Sequence, residues 1–181
     1  MAAGSSTRYQ GIKLLDLIDG RKMYLPILEI MQKLSCTPKI IVTQYDEILE
    51  AALQYGFLPV RNEEPELGIS LSLQLGLLKA LEQDPMMEGV LFGVCDQPYL
   101  RPASIERLIE GFLHSEKNIA ALSYEGIVGN PCIFGKAYYE ELLALTGDVG
   151  GKKIIMVNLP DVLLVPAEEA KELVDIDTRQ M

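Results

Sequence analysis

Helical and strand-like stretches alternate along most of the chain. Apolar residues recur every three to four positions, as in amphipathic helices, over 23–34, 46–56, 70–83, 102–115, 137–145 and, less regularly, 148–157. Short β-branched or continuously apolar runs, which predict strands, lie at 39–44, 57–60, 89–96, 118–124 and 161–166. This order predicts an α/β fold, a three-layer αβα domain in which helices cover both faces of a mostly parallel sheet.

Polar residues that directly follow the predicted strands are candidates for a binding site, because ligands of such sheets bind outside the carboxyl ends of the strands. Gln44, Asp96 and Tyr124 are placed in this way. Asp96 is the sharpest candidate, since a carboxylate at that edge can hold Mg²⁺ bound to phosphates. The alternative, slightly favoured by these residues alone, is that Asp96 caps the next helix or turn.

Length and composition describe one domain. The 181 residues suffice for a full core, and no linker or internal repeat divides them. No run reaches the roughly 18 apolar residues of a membrane span, and the polar, Gly/Ser-rich start is unlike a secretory signal. The cysteines at 36, 95 and 132 are widely spaced and odd in number, which predicts a reduced, cytoplasmic protein.

The charge is unevenly distributed. The net charge of −10 argues against nucleic acid as a partner. Residues 1–45 nevertheless hold six cations and three acids, whereas the remainder holds ten cations and twenty-three acids. A small anionic ligand at the positive end and a solvated surface with chance clustering explain this equally well.

The chain opens on a loop of small residues followed by two cations, "MAAGSSTRYQGIK". It lacks the spacing of a P-loop. Successive backbone N–H groups with little side-chain bulk can still cradle phosphate oxygens, which Arg8 and Lys13 would neutralise. By itself the string is more often a structural turn.

Three further features have ordinary interpretations. Asp175 and Asp177 point the same way if the last residues are extended, which suits a shared cation, although an acidic tail would look the same. The lone His114 lies near a predicted helix end and is interpreted as a partner of the helix dipole. Cys95, within an apolar run, is interpreted as core packing.

Six strings, in order along the chain, resemble the MobA-like nucleotidyltransferases and, within them, the molybdenum cofactor cytidylyltransferases. They are "AAGSSTRYQGIK" (2–13), "LGISLSLQLG" (67–76), "CDQPYL" (95–100), "GNPCIFG" (129–135), "LTGDVGGK" (145–152) and "DIDT" (175–178). The resemblance implies a Rossmann-like mixed sheet of the nucleotide-diphospho-sugar transferase type. It also implies Mg²⁺-dependent transfer of CMP from CTP to the terminal phosphate of the molybdenum cofactor, with release of pyrophosphate.

The resemblance implies roles for individual residues. Arg8 and Lys13 would grip the triphosphate and Asp96 would hold the metal, and these three would be the catalytic residues. Asp177 would be the second metal ligand. The nucleotide-binding residues would be Ala2, Ala3 and Gly4, beneath the base and sugar, with Ser70 and Ser72, and the acceptor-binding residues would be Asn130, Pro131, Gly147, Asp148, Gly150 and Lys152.

The implied substrates are a nucleoside triphosphate and the molybdenum cofactor, with a molybdenum hydroxylase as a further partner and neither nucleic acid nor a membrane. Guanylyl-transferring relatives usually have Gly where this chain has Ala3, which favours CTP over GTP. The attacking group would be a phosphate monoester, largely dianionic at pH 7, so no side-chain base is needed. A chain with one His and no Ser-His or Cys-His pair fits this chemistry.

Three departures from the family are visible. Members have a buried strand before the Ala-Ala-Gly loop, so residues 1–181 are expected to form a single nucleotidyltransferase domain lacking its first strand. Either the natural protein begins upstream of Met1 or the loop is anchored in another way. "DIDTRQM" also lacks the Pro-Glu-Asp that often follows in relatives, and Tyr9 takes a place usually held by Met.

Two alternative functions remain. One is a related nucleotidyltransferase that uses GTP or a sugar-phosphate acceptor, against which "GNPCIFG" and "LTGDVGGK" argue. The other is a non-catalytic accessory protein that delivers the cofactor or nucleotide to a molybdenum hydroxylase, which the missing first strand favours.

Overall fold

The computed structural model describes Met1 and residues 12–176. Six α-helices lie in these residues, α1 (Leu25–Lys33), α2 (Asp46–Gln54), α3 (Ile69–Gln83), α4 (Pro102–Leu113), α5 (Tyr139–Leu143) and α6 (Lys152–Val157). The strands there are β1 (Leu17–Ile18), β2 (Arg21–Lys22), β3 (Ile40–Thr43), β4 (Leu58–Arg61), β5 (Gly89–Phe92), β6 (Ile119–Tyr124), β7 (Ile127–Gly135) and β8 (Val162–Pro166). A 3-10 turn over Lys13–Leu15 precedes them.

The strands form a short hairpin, a two-stranded sheet and a four-stranded sheet. β1 and β2 make the antiparallel hairpin, and β3 pairs in parallel with β4. The third sheet has the strand order β5-β7-β6-β8. In it β7 runs antiparallel to both β5 and β6, while β6 and β8 are parallel.

Apolar side chains pack on both faces of the four-stranded sheet. Alternate residues of β6 point to opposite faces, as the pleat requires. Ala120 and Leu122 join a core cluster with residues of α1, α2 and α4, whereas Ile119 and Ala121 join a second cluster with residues of α3, α5 and α6. Burial on both faces explains why β6 is continuously apolar, and it confirms the predicted αβα layers.

Every helix predicted from periodicity overlaps an observed one, and so does every predicted strand. α2 ends as expected, with Gly56 at a positive φ of 76° two residues beyond it. Asp46, interpreted as a possible cap, is instead the first helical residue, and its carboxylate pairs with Arg61. Cys95 is buried in the core, as predicted.

β7 is the longest element that periodicity missed, and the two-residue strands β1 and β2 were missed as well. The sequence of β7 contains Gly129, Asn130 and Pro131, which locally favour a loop. The strand forms because β5 and β6 flank it with matching registers, a non-local cause. None of the helices in the described residues is long and apolar enough to cross a membrane.

Candidate functional site at the carboxyl edge of the sheet

Lys13 and Asp96 form an ion pair in which Lys13 Nζ lies 2.9 Å from Asp96 Oδ2. Their side chains are only 13% and 24% exposed, so solvent screens the pair less than it would a surface pair. Lys13 belongs to the turn that follows the opening loop, and Asp96 lies four residues beyond the end of β5. The fold therefore brings two of the three predicted catalytic residues into contact across 83 positions. Arg8, the third, lies outside the described residues.

Asp96 does not cap the next helix. The next helix, α4, begins at Pro102, and its N-cap position is Arg101, which makes no side-chain capping bond. The carboxylate of Asp96 instead pairs with Lys13.

The carboxyl-terminal segment lies beside Asp96. Ile176 N donates to Asp96 O at 3.0 Å. Next to it, Gln97 Nε2 donates to Asp175 Oδ1 at 2.9 Å and to Leu173 O at 3.4 Å. Asp177, the second predicted metal ligand, lies outside the described residues, but it directly follows Ile176 in the chain.

A buried carboxylate fixes the start of that segment. Glu172 has no exposed surface, and its two oxygens accept backbone N–H bonds from Arg101 at 3.2 Å, Glu168 at 2.9 Å and Glu169 at 3.2 Å. The Arg101 guanidinium also pairs with the side chains of Glu168 and Glu169. Hydrogen bonds from Arg101 and Arg107 hold the pKa of Glu168 below its usual value. Residues 168–173 are thus attached to the start of α4, which aligns the following residues with Asp96.

A second group of predicted residues meets at a glycine contact, defined here by Gly68 and Gly147. A Cβ built on Gly68 would lie 2.4 Å from the carbonyl carbon and oxygen of Gly147, so only glycine fits. Gly68 also has a φ of 89°, which L side chains rarely adopt. Ser70 N donates to Gly147 O at 3.3 Å and completes the contact. A predicted nucleotide-binding loop and a predicted acceptor-binding loop therefore touch through their backbones.

The two predicted serines are inside the protein. Ser70 and Ser72 lie in the first turn of α3 and are 3% and 4% exposed. Ser72 Oγ accepts a hydrogen bond from Asn62 Nδ2 at 3.0 Å. Asn62 Oδ1 in turn accepts from Glu64 N. Ser72 thus anchors the loop that links β4 to α3.

The remaining acceptor-binding candidates occupy a strand and a loop. Asn130 and Pro131 lie in β7, just before Cys132, which pairs with Phe92 at the end of the ladder between β7 and β5. Gly147, Asp148 and Gly150 lie between α5 and α6, and Lys152 is the first residue of α6. Asp148 and Lys152 are exposed. Ala2, Ala3 and Gly4 lie outside the described residues.

Neither buried cysteine near the site is a nucleophile. Burial raises the pKa of Cys132 to about 12 and also raises the pKa of Cys95 above its ordinary value. Both are therefore uncharged thiols at neutral pH, and the thiolate is the reactive form.

The donor set fits a hydrated divalent ion rather than an enclosed one. Within the described residues no three His, Cys, Asp or Glu side chains converge on one metal position. Mg²⁺ usually keeps several waters and binds one or two carboxylates together with substrate phosphates. The partly exposed carboxylate of Asp96, at the carboxyl edge of the sheet, is suited to that mode.

Sequence reasoning missed several residues that build the site. Gly68 and Asn62 hold the α3 loop, and Glu172 holds the carboxyl-terminal segment. Gln97 is 2% exposed, and its Oε1 has no hydrogen-bond partner among the described residues. Gln97 and Gly68 had a signal, their places in the strings "CDQPYL" and "LGISLSLQLG", whereas Asn62 and Glu172 look like ordinary loop residues.

An αβα sheet with a cation and a carboxylate at its carboxyl edge is typical of proteins that bind phosphorylated ligands. Residues 1–162 match the MobA-like NTP transferase domain, and the chain belongs to this family of nucleotidyltransferases. Nucleotidyltransferases of this kind use divalent metals. None of the curated proteins gives a significant match.

Solved structures share the fold. The Rv0371c protein of Mycobacterium tuberculosis H37Rv is 25% identical with a TM-score of 0.76, covering 98% of this chain and 90% of that one. Its complex with manganese is 21% identical with a TM-score of 0.69, covering 88% and 84%. A nucleotidyl transferase from Methanothermobacter is 22% identical with a TM-score of 0.78, covering 98% and 89%. Molybdopterin-guanine dinucleotide biosynthesis protein A of Archaeoglobus fulgidus is 16% identical with a TM-score of 0.63, covering 98% and 90%.

Proposed function

We propose that this protein transfers CMP from CTP to the terminal phosphate of the molybdenum cofactor and releases pyrophosphate. The observation that carries the proposal is the Lys13–Asp96 ion pair, which joins the end of the opening loop to the carboxyl edge of β5. The product would be a cofactor for a molybdenum hydroxylase in the cytoplasm.

In this reaction an oxygen of the cofactor's phosphate attacks the α-phosphorus of CTP. The new P–O bond forms as the bond between the α-phosphorus and the bridging oxygen breaks, and pyrophosphate leaves with the electron pair. The attacking oxygen is already ionised near pH 7, so the protein has no proton to remove. Its work is to align the two phosphates and to neutralise charge on the departing pyrophosphate.

Lys13 and Arg8 supply positive charge for the triphosphate. While Lys13 pairs with Asp96, its charge is balanced and the carboxylate is satisfied. A triphosphate–metal complex offers Lys13 and Asp96 new partners. The ammonium of Lys13 can donate to phosphate oxygens, and the carboxylate of Asp96 can bind the metal ion. The pair is thus an exchangeable contact that keeps both groups oriented before the substrate binds.

Mg²⁺ is the proposed metal, held by Asp96 and Asp177. The ion would neutralise phosphate charge and keep the triphosphate in one conformation. The segment that ends at Ile176 lies beside Asp96, which supports Asp177 as the second ligand. The manganese complex of Rv0371c supports a divalent ion in this fold.

The cofactor would bind at the loop that contains Gly147, Asp148 and Gly150, with Lys152, Asn130 and Pro131 beside it. The glycine contact supports this assignment, because it joins that loop to Gly68 and to Ser70 in the first turn of α3. The choice of CTP over GTP rests on Ala3, where guanylyl-transferring relatives usually have Gly.

Pyrophosphate release tests the proposal. The protein is incubated with Mg²⁺, molybdenum cofactor and either CTP or GTP, and pyrophosphate and the dinucleotide product are measured. We expect turnover with CTP and little with GTP. Turnover with GTP alone would reject the CTP assignment, and turnover with neither, in a folded protein, would reject the transferase.

A panel of acceptors separates this reaction from that of a related enzyme. Sugar phosphates replace the molybdenum cofactor in the same assay. Product formed from a sugar phosphate but not from the molybdenum cofactor would reject the proposed acceptor.

A further inference from the structure

Gln97 carries a buried amide next to Asp96 in the chain. Its side chain is 2% exposed, and Nε2 donates to Asp175 Oδ1 at 2.9 Å and to Leu173 O at 3.4 Å. A carboxylate and a carbonyl can only accept, so these two partners fix which end of the amide faces them. The bonds attach Gln97 to the carboxyl-terminal segment, here residues 173–176, across 76 and 78 positions of the chain.

The oxygen of the same amide has no partner. Within Met1 and residues 12–176, Gln97 Oε1 is buried and accepts no hydrogen bond. A buried acceptor of this kind destabilises a protein, and an apolar side chain of the same length would avoid that cost. The two bonds that Nε2 donates, rather than packing, therefore account for an amide at this position.

Other contacts hold the carboxyl-terminal segment in the same register. Ile176 N donates to Asp96 O at 3.0 Å. Leu173 packs on β7, where a Cβ built on Gly129 would lie 3.0 Å from Leu173 Cδ1. Two consecutive residues, Asp96 and Gln97, thus bind the segment through three hydrogen bonds, and the Gln97 amide supplies two of them.

We propose that Gln97 is a positioning residue for the metal–triphosphate site. Its amide holds Leu173 and Asp175 so that the chain reaches Asp177 at a fixed place beside Asp96. This inference rests on the proposed function, in which Asp96 and Asp177 hold Mg²⁺. Gln97 contacts neither the metal nor the substrate in this role, and it acts through the segment that its amide binds.

Gln97→Met tests this role, because the thioether has the length of glutamine but donates no hydrogen bond. Gln74→Met is the matched control. The amide of Gln74 also donates to two acceptors, Leu143 O at 2.9 Å and Leu145 O at 2.7 Å. Its bonds join α3 to the end of α5, away from the carboxyl-terminal segment.

Hydrogen exchange at the Ile176 amide measures the contact without substrate. This N–H donates to Asp96 O, so its protection reports whether the segment stays beside Asp96. We expect exchange at Ile176 to be at least about tenfold faster in Gln97→Met than in the natural chain, and unchanged in Gln74→Met. Equal exchange in the natural chain and Gln97→Met would overturn the proposal. Equal acceleration in β6 would also overturn it, since that would mean a general loss of stability.

Binding of Mn²⁺ in the presence of CTP connects this contact with the site. Free Mn²⁺ is measured by electron paramagnetic resonance while each protein is titrated. We expect binding to be at least about fivefold weaker in Gln97→Met and unchanged in Gln74→Met. The metal concentration that gives half-maximal turnover should rise by the same factor, while kcat at saturating metal stays within about twofold.

The binding results distinguish this inference from the proposed function. Equal affinity of the natural chain and Gln97→Met would overturn the role of Gln97 and leave the metal–triphosphate site in place. Absence of binding by the natural chain would reject that site, and with it both the proposed function and the role of Gln97.

Discussion

The two contacts that build the candidate site, Lys13 with Asp96 and Gly68 with Gly147, are held by opposite means. Lys13 and Asp96 meet through charged side-chain ends, 2.9 Å apart, each of which can take another partner. Gly68 and Gly147 meet through backbone atoms, at a spacing that no other residue allows at position 68. The first contact can exchange partners when a substrate binds, whereas the second fixes the distance between two loops. Substitutions at the first contact should therefore lower activity, and substitutions at the second should lower stability.

Asp96→Asn should have the largest effect on activity. The amide keeps the shape of the side chain but loses the charge for Lys13 and for a metal, so kcat/KM should fall by about a thousandfold. The urea midpoint should shift little, because Asn can still accept a hydrogen bond from Lys13.

Asp46→Asn is the control for that substitution. Asp46 is an exposed aspartate at the start of α2, and it pairs with Arg61 at the end of β4. Its replacement should leave kcat/KM within about twofold, since exposed ion pairs contribute little. Near-normal activity of the Asp96 variant would mean that Asp96 takes no part in the reaction.

Gly68→Ala should instead lower stability. The added methyl group meets the backbone of Gly147, which cannot move aside as a flexible side chain can, and the positive φ adds strain. Gly56→Ala is the matched control, because Gly56 also has a positive φ but has open space around it. We expect a cost of about 1 kcal/mol at position 56 and at least about 2 kcal/mol more at position 68, measured by urea unfolding. Equal costs would mean that the glycine contact does not constrain the two loops.

The sequence predicted the elements well because their signals are local. α3 and α4 carry several turns of apolar periodicity, and the β6 run is apolar over its whole length. β7 was missed since Asn130 and Pro131 look like loop residues and only pairing with its neighbours makes them a strand. The meeting of Lys13 with Asp96 was implied by the family resemblance alone, because nothing in the spacing of two residues so far apart indicates contact.

The residues that support the site could not be predicted for the same reason, because their contacts are with residues that no local pattern indicates. Glu172 lies in the acidic stretch "AEEAKE", where each carboxylate looks equally solvated. Tertiary structure selects this one, since it alone faces the three N–H groups of Arg101, Glu168 and Glu169. Gly68 likewise differs from other glycines only in what a side chain would meet there.

Glu172→Gln tests whether the carboxyl-terminal segment contributes to the reaction proposed at Lys13 and Asp96. One of the three backbone donors would then face an amide NH₂ instead of an oxygen, at a cost of about 2 kcal/mol. Glu106→Gln, at an exposed position of α4, is the control and should cost under about 0.5 kcal/mol. If the segment positions Asp177, kcat should fall in the Glu172 variant and stay unchanged in the Glu106 variant. Unchanged kcat in both would separate the segment from the reaction.

Asp161 is a carboxylate with a structural role. Its substitution by Asn should have the smallest effect of the changes proposed here. It accepts bonds from Asn118 N at 3.0 Å, Asn118 Nδ2 at 3.0 Å and Tyr138 OH at 2.9 Å. The hydrogen bond from the Asn118 backbone, with these others, holds the pKa of Asp161 below its usual value. Its contribution is therefore fully present above its unfolded pKa and is lost as the pH falls through the lower, folded pKa.

Urea unfolding at pH 7 and pH 3 measures that contribution. Asp161→Asn should be less stable than the natural chain by under about 1 kcal/mol at pH 7, and the difference should narrow towards pH 3. Activity should be unchanged. A difference that grows on acidification would contradict the direction given for the pKa of Asp161.

Binding of the manganese–CTP complex tests most directly whether Lys13 and Asp96 form the metal–triphosphate site. Water-proton relaxation rises when this complex is immobilised on a protein, so it measures binding without turnover. We predict binding by the natural chain and by Asp46→Asn, and at least about tenfold weaker binding by Asp96→Asn. Equally strong binding by the Asp96 variant would contradict the assignment of the site.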